Sequence, residues 1–181
     1  MRSSAPWGFS TTRSWSTRRR TRTTTSTRRE PVALALGGNV GDVERRFDWA
    51  IARLRTYFPD LRVASLHRSA AVSPVPQPDY LNTAAVGHLR DSDLDPESLL
   101  AVCKALERAA GRRRNVRFGP RPLDVDIVLW GDRVSDRPEL TLPHPRLRER
   151  RFVLEPLAEI APDLRVPPDG VTVAELLARL G

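Results

Sequence analysis

The chain has 181 residues, 40% of them hydrophobic, enough for one ordinary domain with a core and room for a tail. No run of about 18 apolar residues occurs, so no membrane-spanning helix is expected, and a single cysteine, Cys103, excludes an internal disulfide and fits a reduced, cytoplasmic setting. The net charge of +8 points to a nucleic-acid binder only until the charges are located: eight arginines against Glu30 in the first 30 residues carry nearly all of it, leaving the remainder close to neutral.

Residues 1–30 are biased to Ser, Thr and Arg without apolar periodicity, and are expected to form a disordered tail beside a domain over 31–181. They lack the apolar segment of a secretory signal; the Arg- and Ser-rich, acid-poor composition resembles an organellar leader without its apolar face, and that leader, a nucleic-acid-binding arm and a plain extension are the open readings. From Val32 the pattern becomes regular. "VALALGG" (32–38) predicts a short buried strand ending in glycine. Asp42 caps a helix to about Phe58, with Val43, Phe47, Ala50, Ile51 and Leu54 at helical spacing and Pro59 ending it. "LRVASLHR" (61–68) alternates as a strand with Leu61, Val63 and Ser65 on one side, and the Pro-rich "AVSPVPQPD" after it is a loop. "YLNTAAVGHLR" (80–90) is the next strand. Asp95 as cap, Pro96 at the first helical position and Glu97 in the first turn open a helix to Gly111, in whose apolar pattern Cys103 is a plain core thiol. A loop over 112–122, a strand over 124–130 and a turn at Gly131-Asp132 follow.

The order β-α-β-β-α-β predicts an α+β, ferredoxin-like core, an antiparallel sheet with both crossover helices on one face, plus a C-terminal extension. In that extension Val171, Val173, Leu176, Leu177 and Leu180 suggest a last strand or turn and a short helix.

The chemistry concentrates on "FGPRPLDVDIVLW" (118–130). Residues i and i+2 of a strand share a face, so Asp124 and Asp126 stand together while Val125, Ile127 and Leu129 turn to the other side. Two carboxylates about 7 Å apart resist joint ionisation unless a cation lies between them. Mg²⁺ suits them, since one or two carboxylates hold it while water and substrate phosphates complete its shell. Just before them, Arg112, Arg113, Arg114, Arg117 and Arg121 lie in a Gly/Pro-interrupted loop, a source of planar guanidinium groups for phosphate. His144, between Pro143 and Pro145, precedes a second arginine group. In "QPDYLN" (77–82), Tyr80 and Asn82 share a strand face, an aromatic plane beside an amide, suited to a planar heterocycle. No Walker-type phosphate loop is present.

Together, "ALGGN" (35–39), "QPDYLN", "FGPRPLDVDIVLW" and "LPHPRLRERRFVLEPLAEIAPD" (142–163) closely resemble the 6-hydroxymethyl-7,8-dihydropterin pyrophosphokinase family of folate biosynthesis, over about residues 32–180. The resemblance implies a ferredoxin-like fold, transfer of pyrophosphate from ATP to the pterin hydroxymethyl group, and two Mg²⁺ ions. It implies that Asp124 and Asp126 hold both metal ions and that Arg112 and Arg121 close on the phosphates. Glu107, Arg114, Arg117, Ile127, Thr141 and His144 would lie on the ATP side. Tyr80 and Phe152 would sandwich the pterin, Asn82 would read its edge, the backbone of Ser69 and Val72 would bind its remaining polar atoms, and Arg150 would approach from the C-terminal loop. Gly38 stands where serine is common in the family, and Phe118 where tryptophan is. A monomer acting on small molecules is expected, with no membrane or nucleic-acid partner for the domain. Two rival classes are a ferredoxin-like RNA- or DNA-binding module, disfavoured by the paired aspartates and near-neutral domain, and a metal-dependent phosphohydrolase.

Overall fold

The computed structural model describes residues 29–71, 74, 76–91, 94–111, 119 and 121–181. The expected loops at 71–79 and 112–122 are therefore described only in part, and the expected tail falls almost wholly outside the described residues. β1 (Pro31–Gly38) is the central strand, because alternate residues meet two different cores. Val32, Leu34 and Leu36 face one core, and the small Ala33 and Ala35 face the other. Asp42 caps α1 (Val43–Tyr57) by accepting the Arg45 backbone N–H, and the helix buries Val43, Phe47, Ala50 and Leu54 as its spacing predicts. β4 (Tyr80–His88) and α2 (Pro96–Ala109) also match expectation, the latter capped by Asp95 on the Ser98 N–H. With β5 (Asp124–Trp130) the main sheet is entirely antiparallel and has the ferredoxin-like order, the 61–69 segment outermost, then β4, β1 and β5.

The expected strand over 61–68 is broken. It consists of β2 (Arg62–Val63) and β3 (His67–Ser69), both paired to β4, with residues 64–66 between them. The break has a tertiary cause: the Ser65 N–H and hydroxyl donate to Glu159, at 3.0 and 2.7 Å, while Thr83 Oγ donates to the Ala64 carbonyl. The alternation expected for β5 also fails at one place. Ala33 pairs with Leu129 but Leu34 pairs with Ile127, so Val128 is an extra residue, a β-bulge. Leu129 therefore sits on the same side as Val128, in the second core, rather than with Val125 and Ile127.

The C-terminal third supplies what covers the second face. A hairpin of β6 (Ser135–Arg137) and β7 (Leu140–Leu142) packs near β5, and a 3-10 turn at Leu147–Glu149 leads into α3 (Arg151–Ile160). Then β8 (Arg165–Val166), β9 (Val171–Thr172) and α4 (Val173–Ala178) close the chain. The last strand and short helix were expected; the hairpin and α3 were not. Val153, Leu154, Leu157 and Leu176 pack on Ala33, Ala84, Val86, Val128 and Leu129, so α1 and α2 share one face of the sheet as expected and the C-terminal extension covers the other with α3 and α4. Among the described residues no helix is long and apolar enough to cross a membrane.

Glu159 joins the two halves of this architecture, since its acceptors are on α3 and its donors, Ser65 and His67, precede or lie on β3. The Ser65 hydroxyl and N–H, then His67, pull its carboxyl from an ordinary value near 4.5 down to about 2. A depressed folded-state pKa stabilises above the unfolded value and loses that contribution as pH falls. Glu159→Gln should therefore be less stable than the parent chain at pH 6, and the gap should narrow steadily between about pH 4.5 and 2. Paired denaturant titrations over that range measure it; a gap independent of pH would contradict the assignment.

Candidate active site

The ends of three strands meet at one cleft because of register. Gly37, near the end of β1, pairs with Asn82 on one side and Asp124 on the other. The first residues of β4 and of β5 are thereby brought to the same sheet edge, and α3 contributes its first turn from above. The resulting cavity, of about 630 Å³, has Ala35, Leu36 and Gly37 as its floor. Its walls include Ser69, Tyr80 and Asn82 on one flank, Arg121, Asp124 and Asp126 on the other, and Arg150 and Phe152 from the C-terminal segment. Eight of the expected site residues thus converge.

The flank formed by Ser69, Tyr80 and Asn82 is already ordered by hydrogen bonds. Asn82, 5% exposed, donates from Nδ2 to Ser69 Oγ at 2.9 Å and to the His67 carbonyl at 3.3 Å. Its amide plane is thus set by β3, which leaves Oδ1 pointing away from that strand. Tyr80 is half-buried, and burial raises its phenol above the ordinary value, so it enters the cleft as a neutral ring.

On the other flank Glu107, Asp124 and Asp126 bring carboxylate oxygens within 4.8 Å of one another. Hard oxygen donors at this spacing fit Mg²⁺ and disfavour softer ions. Burial, then the neighbouring Asp124 charge, raises the Asp126 carboxyl above its ordinary value. Each acid faces a cation: Glu107 meets Lys104 Nζ at 2.9 Å, Asp124 meets Arg121 Nη1 at 2.5 Å, and Asp126 lies 3.9 Å from Arg150 Nη1. Arg150 is itself largely buried, its guanidinium 5.6 Å from the Phe152 ring centre and its Nε without a hydrogen-bond partner.

Four expected residues do not line the cleft. Glu107 is 2% exposed and reaches the site only through its carboxylate, while also accepting the Val125 N–H at 2.9 Å along the outer edge of β5. The Ile127 side chain packs in the core beneath α1 and α2. Thr141, on β7, donates to the Arg137 carbonyl. His144 is held beside β5 by its N–H on the Val128 carbonyl, the group that the bulge turns outward. Its Nδ1 accepts the Arg146 N–H, and burial lowers its pKa, so the ring is neutral with Nε2 carrying the proton. Val72, Arg112, Arg114 and Arg117 lie outside the described residues.

Two residues were not assigned from the sequence. Lys104, on α2, forms part of the wall. Asn39, 6% exposed, ties together both loops that flank the cleft. Its Nδ2 donates to Gln77 Oε1 at 2.8 Å and to the Pro78 carbonyl at 3.1 Å, its Oδ1 accepts the Arg121 N–H at 2.8 Å, and its own N–H donates to the Arg121 carbonyl. The signal was an amide directly after a strand-ending glycine pair. Gly38 belongs to the same arrangement: a Cβ there would lie 2.9 Å from the Pro122 carbonyl oxygen and 3.0 Å from Val43 Cγ1, so the Arg121-Pro122 backbone packs against bare glycine. Asn39→Ala removes three of the four hydrogen bonds and should cost about 1–3 kcal/mol of stability, the scale for leaving buried donors and acceptors unmade. Chemical denaturation checks this, and faster amide exchange at Arg121 should accompany it.

The fold and cleft define the class of the protein: a ferredoxin-like α+β domain whose strand ends join an aromatic slot to an acidic, arginine-bordered pocket. Residues 33–162 match the family model described as 7,8-dihydro-6-hydroxymethylpterin-pyrophosphokinase (HPPK). The chain is 43% identical over 151 residues to the Synechocystis 2-amino-4-hydroxy-6-hydroxymethyldihydropteridine pyrophosphokinase, covering 82% of this chain and 75% of that protein. It is 44% identical over 153 residues to the protein of the same name from Methylorubrum extorquens, covering 81% and 91% of the two chains. A crystal structure of a Plasmodium falciparum HPPK-DHPS variant with pteroate shares the fold at a TM-score of 0.62 and 13% identity, over 85% of this chain but only 44% of that one. This chain belongs to the 7,8-dihydro-6-hydroxymethylpterin-pyrophosphokinase family.

Proposed function

We propose that this protein transfers the pyrophosphoryl group of ATP to the hydroxymethyl group of 6-hydroxymethyl-7,8-dihydropterin, giving AMP and the pterin diphosphate for folate biosynthesis. It is an ATP-dependent diphosphotransferase acting on two small molecules. The observation that carries the site-level reading is the shared pairing at Gly37, which sets Asn82 and Asp124 on either side of one residue. A planar acceptor in the Tyr80, Asn82 and Phe152 slot and a polyphosphate beside Asp124 and Asp126 would then meet above the floor of the cleft.

The pterin hydroxyl oxygen attacks the β-phosphorus, the bond from that phosphorus to the α,β-bridging oxygen breaks, AMP departs with that oxygen, and the hydroxyl proton is lost. No side chain acts as nucleophile, so the protein contributes positioning and charge. Tyr80 and Phe152 sandwich the ring, Asn82 reads its polar edge with the backbone of Ser69 and Val72, and Arg150 approaches from above. Arg112 and Arg121 balance charge on the phosphates, with Glu107, Arg114, Arg117, Ile127, Thr141 and His144 on the nucleotide side. Asp124 and Asp126 would hold two Mg²⁺ ions, which supply charge neutralisation on the phosphates and a lowered pKa for the attacking hydroxyl. Residues 31–181 form the pyrophosphokinase domain, with 1–30 a separate extension, and the protein acts as a cytoplasmic monomer. The buried Cys103 thiol, pushed up to about 12 by burial, is inert and compatible with that setting.

AMP release from ATP with Mg²⁺ should require 6-hydroxymethyl-7,8-dihydropterin, in the full chain and in residues 31–181 alike; phosphate release without the pterin would favour a phosphohydrolase instead. Asp124→Ala and Asp126→Ala should each lower the rate at least about 100-fold, the scale of losing one major electrostatic stabiliser. Steady-state turnover of either variant within a few-fold of the parent chain would remove the metal from this account.

A further inference from the structure

Lysine occurs once in this chain, against 29 arginines, and its one position is Lys104, in the wall of the cleft. Its ammonium donates to Glu107 Oε1 while 38% of the side chain is exposed. The two partners are held very differently. Glu107 is almost fully buried, and the same oxygen accepts the Val125 N–H from β5, so the carboxylate is anchored whether or not the lysine is present. The ammonium is a compact charge on a flexible four-carbon stem, free to rotate from one oxygen to another. Lys104 also completes a pattern, since it is the cation facing Glu107 as Arg121 faces Asp124 and Arg150 faces Asp126. Three carboxylates whose oxygens lie within 4.8 Å of one another need such compensation whenever no metal is bound.

We propose that Lys104 is an exchangeable counter-ion of the acidic cluster: it neutralises Glu107 in the metal-free protein and passes its ammonium to a phosphate oxygen of the nucleotide when a metal–nucleotide complex enters. This rests on the reading of the cleft given under Proposed function. The exchange has a consequence of opposite sign for its two ligands. Lys104 competes with a bare divalent ion for the cluster, yet assists the same ion when it arrives with a polyphosphate.

The test is an electron-paramagnetic-resonance titration of the full chain with Mn²⁺, a visible stand-in for Mg²⁺, alone and with α,β-methylene ATP. Lys104→Gln should bind Mn²⁺ alone at least about threefold more tightly than the parent chain, and should bind Mn²⁺ with the analogue about tenfold more weakly, the order of one charge-assisted hydrogen bond. Lys104→Arg keeps the charge and should hold the Mn²⁺–analogue complex within about threefold of the parent. A parallel loss of both affinities in Lys104→Gln, as a folding lesion would give, overturns the proposal. So does no change in either affinity, or an analogue defect in Lys104→Arg as large as in Lys104→Gln. If the parent chain fails to bind the Mn²⁺–analogue complex at all, the nucleotide reading of the cleft falls together with the role of the lysine.

Discussion

The position of β1 between β4 and β5 is the constraint on which the cleft depends. Both neighbours run antiparallel to it, so both begin where β1 ends, and the polar residues opening each are delivered to one spot. A strand's interior cannot tolerate bare carboxylates, but its first residues can, because half of their surroundings are solvent or loop. Ala33, Ala35 and Gly37 complete the arrangement: their small side chains let α3 approach the sheet and leave depth at the end where it does not.

Among the described residues, each carboxylate of the acidic cluster already faces a cation. Glu107, Asp124 and Asp126 are close enough to repel, and three cations from α2, the 121 segment and the turn before α3 compensate them. Such an assembly adds little to stability, since desolvation cancels much of the attraction between partly buried ions. What it provides is a set of paired donors and acceptors held together at one edge of the cleft. Asn39 and Gly38 serve the same end by fixing the backbone of Arg121 to the tip of β1, which sets the point from which its guanidinium reaches Asp124.

Much of this was legible in the sequence, for local reasons. The caps Asp42 and Asp95 and the apolar spacing that follows them are enough to define α1 and α2, and the short runs at 32–38 and 80–90 mark β1 and β4. Three features were not, and each is decided by contacts distant in the chain. The gap at 64–66 exists because Glu159, 94 residues further on, captures the Ser65 N–H. The bulge at Val128 reverses the alternation at Leu129, and no residue in that run of apolar side chains announces it. α3 carries Pro156 and follows a dense arginine run, so its local signals argue against a helix, and burial of Val153, Leu154 and Leu157 decides otherwise. In the cleft, the aspartates, Tyr80, Asn82 and Arg121 could be singled out by residue type and spacing. Asn39 and Lys104 were not, because an amide after a glycine pair and a lone amine on a helix gain their meaning from partners that only the folded chain brings near.

β5 is the last strand of the main sheet, and an open strand edge is an invitation to pair with another chain. Here the outward Val125 N–H is taken by Glu107 and the outward Val128 carbonyl by the His144 N–H, while the bulge between them spoils the flat repeat that a second strand would need. The residues expected to serve the nucleotide therefore also guard solubility. Loss of the Glu107 carboxylate would take from the outward Val125 N–H the acceptor that now occupies it, and so open this edge to a second strand.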